Sequence, residues 1–283
     1  MREPGGRANH GHHDDVGAPM NEPVAIVTGA ARGIGASTAR RLASDGWRLV
    51  LVDRAGDDPN LPYALGTEED LRLVCEACGG VEQAVAVVAD VRDQAALHRA
   101  VATATDRFGG LDAALAIAGC IAGGDPAWET DEAVWSTMLG VNLEGVWRLA
   151  VAAVPALLAR PVPRRGRFVA VSSAGGTLGL PLLAAYSASK HGVIGFVRSL
   201  AAELGPEGIT ANAIAPGSTN TAMLDASAVV YGLVGTADFV VHHQLGRLVE
   251  PEEVAALIAW VCGTESSGVT GSVLAADAGM TAS

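Results

Sequence analysis

From residue 24 onward the chain alternates short, wholly apolar runs with longer amphipathic stretches, and this alternation restricts the fold more than any other feature. Val24 to Thr28, Arg48 to Asp53, Ala84 to Ala89, Ala113 to Ile117, Arg167 to Ser172, Thr210 to Ala215 and Ser272 to Ala275 read as seven strands. They show little polar alternation, so both faces of each strand need cover, which the intervening helices supply. Strands joined through helices run parallel, and right-handed crossovers wind them into an α/β, doubly wound, Rossmann-like sheet. No repeat or linker interrupts residues 23–283, which are expected to form one domain. Residues 1–22, rich in Gly, His, Asp and Pro and without a signal-peptide core, read as a disordered extension, with Met20 a candidate start.

Such sheets bind ligands beyond the carboxyl ends of their strands, where the strand order reverses. After the first strand comes Thr28-Gly-Ala-Ala-Arg-Gly-Ile-Gly35. Gly29, Gly33 and Gly35 let main-chain amides approach a pyrophosphate at a helix start, and Arg32 and Ile34 belong to the same turn. The spacing is GxxxGxG, and a glycine turn alone also serves as a plain strand-to-helix connection. Asp53 ends the second strand, where a carboxylate accepts hydrogen bonds from adenosine ribose hydroxyls and repels a 2′-phosphate. NAD is therefore favoured over NADP, with Arg54 as the opposing consideration. Asp90 and Val91 end the third strand and suit an adenine edge or an Asp-capped turn.

Ser173 follows the fifth strand, and Tyr186 and Lys190 lie four residues apart on one helix face. A neighbouring cation favours phenolate over phenol, whose ordinary pKa is about 10, so the pair is expected to be an acid/base device. Asn142 falls inside a helix, where Asn is disfavoured, and is expected to have a specific role.

Composition closes other routes. A formal net charge of −12 without a basic stripe opposes a nucleic-acid surface. No apolar run is read as long enough to span a bilayer. Cys75-Glu-Ala-Cys78 has CxxC spacing, but no second pair completes a zinc set, and His242-His243 lacks the spacing for one helix face, so no metal is expected. A reduced, cytoplasmic protein is the simplest expectation.

Thr28-Gly-xxx-Gly-Ile-Gly35, Asp53, Asp90-Val91, Val141-Asn142, Ser173, Tyr186-xxx-Lys190 and Ala215-Pro-Gly217 together resemble the short-chain dehydrogenase/reductase family, from about Pro23 to the last residues. The resemblance implies a tetrad of Asn142, Ser173, Tyr186 and Lys190. Ser173 would orient the substrate oxygen, and Tyr186 would take the alcohol proton as hydride passes to nicotinamide. Lys190 would lower the tyrosine pKa and hold the nicotinamide ribose, and Asn142 would position a relay water. Ala118, Gly119, Pro216 and Gly217, with Thr219 and Thr221, would complete the NAD site. A homotetramer through the Asp131–Leu158 and Tyr186–Leu204 helices is also implied. Two departures stand out: Ile117-Ala-Gly replaces the family's Asn-Ala-Gly, leaving that loop's bracing open, and Asp277-Ala-Gly replaces Asp-Gly-Gly.

An insertion from Ala55 to about Asp70, with Trp128-Glu-Thr, Gly145-Val-Trp147, Leu158-Ala-Arg-Pro161 and Gly217 to Leu224, resembles the mycofactocin-associated subfamily of actinobacteria. That implies tightly held NAD, covered by the insertion and re-oxidised by mycofactocin. An ordinary dehydrogenase or carbonyl reductase with exchangeable NAD(P)(H) is the alternative. Gly175 to Leu183 and Met223 to about Leu245 should line the substrate side. Their apolarity suits a hydrophobic, cyclic secondary alcohol or ketone, or equally a subunit contact. A non-catalytic NAD-binding regulator is opposed by the intact tetrad. A nucleotide-sugar epimerase is opposed by the short stretch after the seventh strand.

Overall fold

The computed structural model describes residues 22–282. The expected extension therefore lies outside the described residues, apart from Glu22, whose carboxylate pairs with Arg48. The strands are β1 (Val24–Thr28), β2 (Arg48–Asp53), β3 (Ala84–Val88), β4 (Ala113–Ala116), β5 (Arg167–Val171), β6 (Thr210–Pro216) and β7 (Val273–Ala276). All pair in parallel, in the order β3-β2-β1-β4-β5-β6-β7. The winding reverses between β1 and β4, so a crevice opens beyond their carboxyl ends.

The helices are α1 (Gly33–Ser44), α2 (Glu68–Ala77), α3 (Gln94–Phe108), α4 (Glu132–Leu139), α5 (Gly145–Leu158), α6 (Ala184–Leu204), α7 (Ala222–Val230) and α8 (Pro251–Cys262). Successive strand residues face opposite sides of the sheet. Val24 and Ile26 of β1, with Val50, Val52 and Phe168, meet α3, α5 and α6. Ala25 and Val27, with Leu49, Leu51 and Val169, meet α1, α2 and α8. Cys75 and Cys78 belong to this second core, and the Cys75 thiol donates to Ala84 O at 3.0 Å.

Capping divides the helices by location. Thr67 and Asp70 form a reciprocal cap on α2, Asp93 caps α3, Asp131 caps α4, and Glu250 with Glu253 caps α8 behind Pro251. The first turns of α1, α6 and α7 border the crevice and have no side-chain cap. Their leading N–H groups are left without a side-chain acceptor.

The sequence reads one helix from Asp131 to Leu158. The structure instead interrupts it with a π-turn, Gly140–Glu144, between α4 and α5. Local helical pattern conceals that break, because its partner is distant in sequence: Asn142 is pulled onto the main chain of Cys120. A second correction concerns apolarity. By length and composition, Glu132–Leu158 is apolar enough to cross a bilayer, contrary to the sequence reading. Its apolar residues Val146, Leu149, Ala153 and Leu157 are spent on the sheet core.

Candidate active site

The crevice is one cavity of about 1360 Å³ that runs from Arg40 and Asp53 at one end to Tyr231 and Phe239 at the other. Its first part is shaped by missing side chains. Gly29 has φ +71° and Gly33 φ +54°, left-handed conformations that glycine adopts without strain. Gly35 is held more tightly, since a Cβ there would lie 1.9 Å from Gly29 O. The main chain of this turn therefore stands bare beside the uncapped start of α1, as a pyrophosphate requires. Asp53 fixes the turn, accepting from Ala31 N through Oδ2 and from Ala55 N through Oδ1, both at 3.0 Å. Arg32 donates to Ala64 O at 2.7 Å, and Ile34 lines the wall.

Beside the turn, Asp90 accepts from Arg92 Nε through Oδ1 and from Nη2 through Oδ2, and Val91 lines the cavity. Arg54 pairs with Asp58 and lies 3.6 Å from Asp90, so its charge is already matched. Thr28 answers the missing Asn at position 117. Its Oγ1 accepts from Ile117 N at 3.1 Å and Ala118 N at 3.3 Å while donating to Leu115 O. The Ile117-Ala-Gly loop is thus braced from β1. Thr219 and Thr221 each donate a hydroxyl to the carbonyl two residues earlier, Gly217 O and Thr219 O. Both line the cavity with Pro216 and Gly217.

The predicted chemical residues meet at the centre. Of the two serines after β5, Ser172 turns inward and donates to Lys190 O at 2.8 Å, while Ser173 caps the short helix Ala174–Gly176. Ser173 and Tyr186 both line the cavity, and the serine hydroxyl acts to lower the phenol's pKa. Burial outweighs it, and Tyr186 lies above its ordinary value. This differs from the expectation that Lys190 sets the tyrosine low. Lys190 Nζ is 5.8 Å from the Tyr186 ring centroid and donates to Val171 O at 2.9 Å. Burial also acts on the ammonium, bringing it down to about 8.

Lys190 therefore carries a stability prediction. Its folded pKa lies below the ordinary 10.5, so the unfolded chain binds more protons between about 8 and 10.5, and stability rises with pH through that window. Lys190→Met is expected to stabilise the cofactor-free fold at pH 7 by up to about 3 kcal/mol. The gain should shrink as pH approaches 10.5. Thermal melts across this range test it; a gain independent of pH would contradict it.

Asn142 is wholly buried. Its amide accepts from Cys120 N at 2.9 Å and donates to Cys120 O at 3.0 Å, with Ser189 Oγ at 3.2 Å. A Cβ on Gly119 would lie 3.3 Å from Asn142 Oδ1 and 3.4 Å from Lys190 Nζ, so all three converge on one point.

Beyond Tyr186 the cavity turns apolar, with Leu178, Leu180, Leu183, Met223, Tyr231 and Phe239 on its walls. Tyr231 donates to Pro181 O, joining the two segments expected to line the substrate side. The insertion also reaches the site. Leu61 and Leu65 line the cavity, Tyr63 accepts from Ile121 N at 2.9 Å, and Asn60 donates to Thr137 Oγ1 at 3.1 Å. Sequence reasoning did not single out Tyr63, Asp58 or Arg92, and weighed His243 only as a metal ligand. His243 accepts from Ser218 N at 3.2 Å and lies against Phe239 O at 3.0 Å, tying the cofactor loop to the substrate wall.

A family model described as enoyl-(acyl carrier protein) reductase matches residues 29–281. An uncharacterized oxidoreductase of Mycobacterium tuberculosis is 37% identical over 279 residues, covering 93% of this chain and 98% of the relative. A putative short-chain type dehydrogenase/reductase of Mycolicibacterium smegmatis is 36% identical over 271 residues, covering 90% and 96%. Among solved structures, carveol dehydrogenase from Mycobacterium avium in complex with NAD superimposes with a TM-score of 0.88 at 34% identity, covering 93% of this chain and 99% of the other.

Proposed function

This chain belongs to the short-chain dehydrogenase/reductase family and is an NAD-dependent oxidoreductase, and from that premise we propose that it interconverts a hydrophobic, cyclic secondary alcohol and its ketone. The observation carrying this reading is the position of Ser173 and Tyr186, where a glycine-walled arm of the cavity meets an apolar one. Carveol, a cyclic secondary alcohol, stands in the name of the solved relative.

The residues present fit NAD. Gly29 and Gly35 have no room for a side chain, the start of α1 is uncapped, and Asp53 offers carboxylate oxygens beside it. Bound NAD supplies the hydride acceptor. Tyr186, once ionised, takes the alcohol proton at its phenolate oxygen, and Ser173 Oγ holds the substrate oxygen as its charge changes. Lys190 adds positive charge near that oxygen, with Asn142 fixing the loop at Gly119. Because burial holds Tyr186 above its ordinary value, oxidation speeds up as pH rises toward the alkaline side.

The insertion supports a tightly held NAD. It is fastened by Arg32 on Ala64, Asn60 on Thr137 and Tyr63 on Ile121, contacts that must break for the adenosine end to open. Mycofactocin is then the electron acceptor, as the subfamily resemblance implies. Trp135, Trp147 and Val151, exposed on the outer face of α4 and α5, support the homotetramer. Four free, buried thiols support a reducing, cytoplasmic setting.

Dialysed protein tests the retention. NAD is expected to remain bound, with alcohol oxidation depending on an artificial electron acceptor. Rapid turnover of added NAD by cofactor-free protein would leave the oxidoreductase reading intact and overturn the retention.

A further inference from the structure

Arg54 directly follows the carboxylate expected to face the adenosine ribose, and a free guanidinium at that place is the natural partner of a 2′-phosphate. Here it is not free. Asp58, four residues on and almost wholly buried, pairs with Arg54 Nη1 and accepts from Arg92 Nη2 at 2.7 Å and from Asn60 N at 3.0 Å. Asp90 also holds Arg92, at 2.6 Å from Nη2 and 3.0 Å from Nε. Asp53, Arg54, Asp58, Asp90 and Arg92 all line the cavity, so three carboxylates surround two guanidiniums where a 2′-phosphate would sit.

Asp53 alone leaves the question open, because an adjacent arginine can offset its repulsion. Asp58 closes it. Being buried, its carboxylate pairs with Arg54 under weaker solvent screening than a surface ion pair. The remaining contact of Arg54, 3.6 Å from Asp90, is too long to hold it without Asp58.

We propose that Asp58 is a specificity-determining residue of the insertion, which excludes NADP by holding the Arg54 guanidinium away from the place of a 2′-phosphate. The proposal rests on the reading of this cavity as an NAD site.

The test is binding of NAD and NADP to cofactor-free protein, measured by calorimetry. For Asp58→Asn, NADP affinity relative to NAD is expected to rise about tenfold or more, the value of a charge-assisted contact. Adding Arg54→Gln should cancel that gain. An unchanged ratio in Asp58→Asn, or a gain that survives Arg54→Gln, would overturn the proposal. Should Asp58→Asn fail to fold, Arg54→Gln alone decides. Its NADP affinity is expected to stay within about twofold of the parent's, and a tenfold loss would show that Arg54 already serves the phosphate. A parent protein that binds neither nucleotide would instead overturn the NAD reading.

Discussion

Tyr186→Phe is expected to lower kcat/KM for alcohol oxidation by about a thousandfold while leaving NAD affinity nearly unchanged. The phenolic oxygen is the proton acceptor in this account, whereas the ring only packs against Leu183, Ala185 and the Cys120 loop. Phenylalanine keeps the packing and removes the oxygen. The split between turnover and binding is what identifies the role, since a misfolded site would lose both. Steady-state rates with an artificial electron acceptor, alongside calorimetric NAD binding to cofactor-free protein, provide the check. Comparable loss of affinity would assign Tyr186 a structural part, and surviving oxidation would remove it from the chemistry. The same variant separates an enzyme from a non-catalytic NAD-binding regulator, because a regulator would lose nothing measurable.

Gly35→Ala should be nearly as damaging, by another route. The added Cβ would meet Gly29 O at 1.9 Å and Gly29 C at 2.7 Å, which are main-chain atoms without a rotamer to yield. Either the turn opens or α1 shifts away from β1, and both displace the amides that face the pyrophosphate. A loss of NAD affinity of about a hundredfold or more follows if two or so main-chain contacts to the charged group are lost. Stability should fall too, by about 1–3 kcal/mol, as expected for an overpacked site. Calorimetry and denaturant unfolding measure the two effects. A variant with parental affinity would show that the pyrophosphate does not use this turn. Gly195, within α6 and with open space around it, offers a contrasting position where crowding is absent.

The parts of this molecule legible in its sequence are those set by local pattern. Largely apolar strands such as Val24–Thr28 and Arg48–Asp53 announce a doubly covered sheet, and their boundaries match the structure. The glycine turn and the Tyr186/Lys190 spacing are equally local, because one helix face brings residues four apart together. What escaped was decided by distant partners. The π-turn at Asn142 depends on Cys120, 22 residues earlier, and the apolar surface of Glu132–Leu158 depends on the sheet beneath it. Asp58 and Arg92 are 34 residues apart and carry no motif, so their contact with Arg54 could not be seen before the chain was folded. The direction of the Tyr186 pKa also escaped, because the sequence showed the nearby cation but not the depth of burial that opposes it. Ile117 is the converse case: the missing Asn suggested a weakened loop, and the repair came from Thr28, a residue already within the first motif.

The account centres on direct transfer from a secondary alcohol to nicotinamide at the Tyr186 site, and isotope tracing tests it most directly. Protein holding NAD is mixed with carveol carrying deuterium on its carbinol carbon, and the products are analysed by mass spectrometry and nuclear magnetic resonance. The predicted result is a ketone that has lost the deuterium and a reduced nicotinamide that carries it at C4. Deuterium released to water, or ketone formed without labelled nicotinamide, would contradict the account.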